Sequence, residues 1–61
     1  MKVNTVVAAQ DLHVGDFVLD EMAFVIDVKA NPFTGKVAVR FDNGMRWNID
    51  EDFILDIRAN V

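Results

Sequence analysis

Sixty-one residues make one small domain, residues 1–61, of a size that buries only about 60% of its unfolded surface. Apolar residues are 52% of the chain, too many for disorder, and six Lys and Arg against ten Asp and Glu give a net charge of −4. There is no Cys, Ser or Tyr and only one His, which removes disulfides, thiolate metal sites and the commonest nucleophiles and points away from an enzyme.

Val, Ile, Phe and Trp supply 20 residues against three Leu, a balance that fits a pleated surface better than a helix. The longest apolar run, Met22 to Ile26, is far too short to span a membrane, and the N-terminus lacks the long apolar stretch of a secretory signal. A Cys-free chain is compatible with the cytoplasm.

The first predicted strand covers Val3 to Ala8, with Val3, Thr5 and Val7 on one side. A short turn over Asp11–His13 precedes Val14-Gly15-Asp16. Phe17 and Leu19 then share an inward face, and pairing Leu19 with Met22 sets Phe17 opposite Phe24. Phe24, Ile26 and Val28 form the next inward set. Pairing Val28 with Val37 sets Ile26 opposite Val39 and Phe24 opposite Phe41. The connection Lys29–Lys36 holds two turn formers, Asn31-Pro32 and Thr34-Gly35. Phe33 lies between them with no alternating partner, either folded back over one end of the domain or exposed to meet a partner.

Val37, Val39 and Phe41 face the core, with Lys36, Arg40 and Asp42 opposite. Asn43-Gly44 marks a hairpin. A two-residue turn would set Phe41 beside Arg46 and mix apolar with polar faces. A three-residue loop, Asp42-Asn43-Gly44, instead pairs Phe41 with Met45, Val39 with Trp47 and Val37 with Ile49. This predicts a type I turn closed by Gly44 in the left-handed region, with a G1 bulge. Asp50-Glu51-Asp52 forms a tight turn before the last strand, where Phe53, Leu55 and Ile57 share a face.

Six short strands in so short a chain bury their inner faces by curling, so the expected fold is all-β, a five- to six-stranded small barrel or curled meander. The stretch Asp11-Leu12-His13-Val14-Gly15-Asp16-Phe17-Val18 resembles the xLxxGDxV motif of SH3-like small barrels, including KOW and Tudor-type modules. Val37-Ala38-Val39-Arg40-Phe41-Asp42-Asn43-Gly44 resembles the VxVxFxDG hairpin of Tudor-type barrels. The resemblance spans about residues 11–58 and implies a fold; the functions hosted by that fold are diverse.

The carboxylates Asp50, Glu51, Asp52 and Asp56 lack calcium-loop spacing, and His13 has no companion ligand, so neither a metal nor another cofactor is expected. The expected function is a non-enzymatic binding, adaptor or inhibitor module acting on a protein partner, of the sort small phage or mobile-element proteins provide. Candidate partner-binding residues are Phe33, Arg40, Arg46 and Trp47. Trp47 also reads as core, in phase with Met45 and Ile49. The phases leave Val18, Val25 and Ile54 facing outward, a candidate homo-oligomer interface, with Met1, Val3 and Val61 adding apolar ends. The alternative is a nucleic-acid-associated barrel using Lys29, Lys36, Arg40 and Arg46, which the net negative charge opposes.

Overall fold

The computed structural model describes residues 2–60. Six strands form: β1 (Lys2–Ala8), β2 (Phe17–Val18), β3 (Ala23–Asn31), β4 (Lys36–Phe41), β5 (Arg46–Asp50) and β6 (Ile54–Asn60). A 3₁₀ turn, Ala9–Asp11, follows β1. Every neighbouring pair is antiparallel, and the order across the single sheet is β1-β6-β2-β3-β4-β5. The all-β expectation holds.

Closure into a barrel does not. β1 and β5 are the two edges of the sheet, and no ladder joins them. β6 is paired on both sides, by β1 and β2. Among the described residues, two backbone bonds tie the β5–β6 connection to the 3₁₀ turn that follows β1. Ala9 N–H donates to the Phe53 carbonyl at 2.8 Å and Gln10 N–H to the Glu51 carbonyl at 3.0 Å.

The open sheet still curls. β4 and β6 are three strand spacings apart, about 14 Å in a flat sheet. Yet Val37, Val39 and Phe41 of β4 share one core cluster with Leu55 and Ile57 of β6. Val18, Ala23 and Val25 fill the middle, and Ala9 and Leu12 cover one end.

The β4–β5 hairpin forms as the sequence predicts. Gly44 has φ +89°, its N–H donates to the Phe41 carbonyl at 3.2 Å, and Phe41 N–H donates to the Met45 carbonyl at 2.9 Å. Val39 pairs with Trp47 and Val37 with Ile49. Phe41 and Trp47 meet edge-on, ring centroids 4.7 Å apart.

β3 departs from the expected phase. Its register with β4 runs Val25 to Phe41 and then Asp27 to Arg40, so Ile26 is an extra, bulged residue. One extra residue reverses the face of everything on one side of it. Ala23 and Val25 therefore point into the core, whereas Phe24 and Ile26 are 42% and 47% exposed. Beyond the bulge Val28 pairs with Val39, and Ala30 rather than Val28 pairs with Val37. Phe17 does sit opposite Phe24, but on the outer face.

These phases correct the expected oligomer interface. Val18 is fully buried and Val25 is 1% exposed, because β2 and the first half of β3 turn the opposite side chains outward. Ile54 alone of the three is on the surface. Met1 and Val61 lie outside the described residues, as does the side chain of Val3.

Candidate binding site on the β3–β4 hairpin

β3 is nine residues long, about 30 Å at strand rise, nearly the 36 Å length of the molecule. Its hairpin with β4 therefore carries the connecting turn past the core. Asn31 organises that turn. Its carboxamide oxygen accepts the Phe33 N–H at 3.0 Å, and its carbonyl accepts the Gly35 N–H at 3.0 Å and the Thr34 N–H at 3.3 Å. Thr34 Oγ1 accepts the Lys36 N–H at 3.3 Å. Pro32 presets its own φ, and Gly35 takes φ +68°, which lets the chain re-enter β4.

On this pinned turn Phe33 is 97% exposed. The ring is therefore not folded back over the end of the domain. Leaving a Phe in water forgoes about 1.5–3 kcal/mol of burial, which a partner can recover. Beside Phe33 lies an open groove of about 670 Å³. Ala38 is its floor, with Lys29 on one flank and Asn48 on the other, and these three are cross-strand neighbours. A small residue between longer ones makes the depression.

The same outer face gathers charge. Arg40 and Arg46 are directly opposite each other, and Asp27 stands on the other side of Arg40. Lys36 is opposite Asp50, and Lys36 Nζ lies 2.7 Å from Asp50 Oδ1. Lys29, Lys36, Arg40 and Arg46 are four of the six cations, and Asp27 and Asp50 two of the ten carboxylates. The face therefore carries +2 and the rest of the chain −6.

The four residues expected to bind a partner do not form one cluster. Arg40 and Arg46 share the outer face with the groove, and Phe33 stands at its far end. Trp47 is on the core side, half-buried against Phe41. Asn31, Ala38 and Asn48 were not expected in the site. Asn31 had a signal, since Asn-Pro is a turn former; Ala38 and Asn48 carry no chemical signature that would single them out in a sequence.

A second outer cluster, also unexpected, comes from the reversed phase of β2 and β3. Phe17 and Phe24 pack edge-on at 4.9 Å, and the Arg58 guanidinium lies 5.6 Å from the centre of the Phe17 ring. His13 is exposed, and its backbone N–H donates to Asp16 Oδ2 at 2.9 Å. Among the described residues no three His, Asp or Glu are grouped to hold a metal, and no helix is long and apolar enough to cross a membrane. Comparison of the chain with family models, curated proteins and solved structures finds no match.

Proposed function

We propose that the protein is a non-enzymatic binding module that engages an acidic protein partner through the outer face of the β3–β4 hairpin. The observation that carries this reading is Phe33, wholly exposed on a turn held by its own hydrogen bonds. A rigid apolar anchor loses little entropy on docking, and the adjoining +2 face supplies charge complementarity and steering. An SH3-like arrangement is the finer fold reading. It is supported by the long β3 shared between the two halves of the sheet, the tight turn after β5, and the return of β6 to β2. Such an arrangement hosts many functions, so the binding reading rests on the hairpin itself. The absence of Cys supports a cytoplasmic setting.

The test is affinity capture from native lysate after nuclease treatment, with wild type and Phe33→Ala as paired baits. A protein retained by wild type, lost with Phe33→Ala and eluted by moderate salt supports the reading. Equal retention by both baits overturns it. A nucleic-acid-associated module using Lys29, Lys36, Arg40 and Arg46 is the second reading, favoured only by their shared face. The Lys36–Asp50 pair and Asp27 beside Arg40 count against it. Submicromolar, salt-sensitive binding of DNA or RNA in an anisotropy titration at physiological ionic strength would put it first.

A further inference from the structure

Of the two open edges, β5 has a sequence that complements itself. Its five residues run Arg46, Trp47, Asn48, Ile49, Asp50, with the first, third and fifth exposed and Trp47 and Ile49 half-buried. We propose that β5 is a homodimerisation edge, with two copies pairing antiparallel about a two-fold axis at Asn48. In that register Arg46 faces Asp50 of the second copy, twice by symmetry, and Trp47 faces Ile49, also twice. Opposite charges and aromatic–β-branched pairs are the favourable cross-strand combinations. A slip of two residues either way shortens the ladder within β5 to three residues and separates both charged pairs.

Backbone parity agrees independently. Phe41 N–H bonds the Met45 carbonyl, and Asp42 N–H bonds the Phe24 carbonyl on the other side. Alternation along the antiparallel ladder then directs the N–H and C=O of Trp47 and Ile49 toward β4. The N–H and C=O of Arg46 and Asn48 and the N–H of Asp50 face the open edge, while the Asp50 carbonyl accepts the Phe53 N–H at 3.0 Å in the turn that follows. A two-fold axis at Asn48 brings these groups together, with Asn48 exchanging both bonds with its own copy and each Asp50 N–H meeting the Arg46 carbonyl of the second copy. Trp47 and Ile49 fall in the closer, non-hydrogen-bonded pairs, where side chains pack best. Trp47 already rests on Phe41 at 4.7 Å, so the pairing continues the core across the axis.

The other edge, β1, has Lys2 as its one charged residue and so no pair of opposite charges to select a register. The β5 pairing joins the two +2 faces into one surface and leaves both Phe33 turns free. It neither needs nor excludes an acidic partner. A five-residue edge falls well short of the roughly 1,600 Å² of a standard interface, so the dimer belongs in the micromolar range.

Sedimentation equilibrium from low to high micromolar concentration tests this, with far-UV circular dichroism to verify folding. Arg46→Asp sets carboxylates opposite each other and weakens dimerisation about tenfold or more. Arg46→Asp combined with Asp50→Arg restores it. Asn48→Pro removes an N–H that β4 does not use, and gives a folded monomer. Wild type that stays monomeric throughout overturns the proposal. So does a dimer that neither Arg46→Asp nor Asn48→Pro affects, which places the contact elsewhere, β1 included. A dimer weakened by Arg46→Asp but not restored by the double variant overturns the register. Loss of partner capture with Phe33→Ala is a separate readout, so either reading can fail alone.

Discussion

Gly44 holds φ at +89° with nothing near the position a Cβ would take, so the strain of a side chain there is purely conformational. Gly44→Val is expected to cost about 1–2 kcal/mol, read by chemical denaturation. Val25 and Phe33 are the opposite extremes for an apolar side chain, 1% and 97% exposed. Val25→Asp puts a carboxylate among Val18, Val39 and Phe41 and should cost about 3 kcal/mol or more, enough to leave much of so small a domain unfolded by circular dichroism. Phe33→Ala should change stability by less than about 0.5 kcal/mol, since the ring supports nothing in the fold. Lys36→Ala should also stay within about 0.5 kcal/mol, because the Lys36–Asp50 pair is solvent-exposed.

At the scale of the strand, β4 and β5 were legible and β3 was not, for one physical reason. Lys36 and Arg40 mark the outer face of β4, and Arg46, Asn48 and Asp50 that of β5, so polar positions disclose the parity. Met22 to Ile26 is an unbroken apolar run in which either parity looks equally good. The first polar residue, Asp27, comes after the bulge and reports only on the far half. The inward placing of Phe17 and Phe24 failed with it, since their outer-face cluster depends on Arg58, most of the chain away. Deleting Ile26 tests the bulge. The deletion leaves Val25 and Val28 two positions apart, so a regular ladder keeps both in the core, opposite Phe41 and Val39. The expected loss in denaturation is about 1 kcal/mol or less, whereas a native ladder that runs regularly through Ile26 would turn one valine outward on deletion and lose about 2 kcal/mol.

For the molecule as a whole, side-chain alternation states which residues face inward but not which strands are neighbours. The curl and the single core were therefore readable, whereas the insertion of β6 between β1 and β2 was not, and with it went the expectation of closure. Charge behaves similarly. Net −4 could be counted from the sequence, and alternation already grouped Lys29, Lys36, Arg40 and Arg46, but that Asp50 joins Asp27 on their face, leaving +2, required the observed pairing. The expected consequence is a partner affinity that falls as ionic strength rises, measurable by a salt series on the captured complex.

β6 meets β1 along its full length, Lys2 opposite Asn60 and Ala8 opposite Ile54, and also meets β2. These contacts join residues separated by most of the chain, so the loop-closure entropy must be met before the sheet returns any of it. The β4–β5 hairpin, by contrast, closes over a few residues. Folding should therefore begin at the Gly44 turn and wait for the chain ends to find each other. That order gives a single slow phase, on the order of milliseconds to seconds for a sheet of this topology. Trp47, beside the hairpin turn and against Phe41, is the natural stopped-flow fluorophore. Substitutions around it should slow folding, while those in β1 should chiefly hasten unfolding.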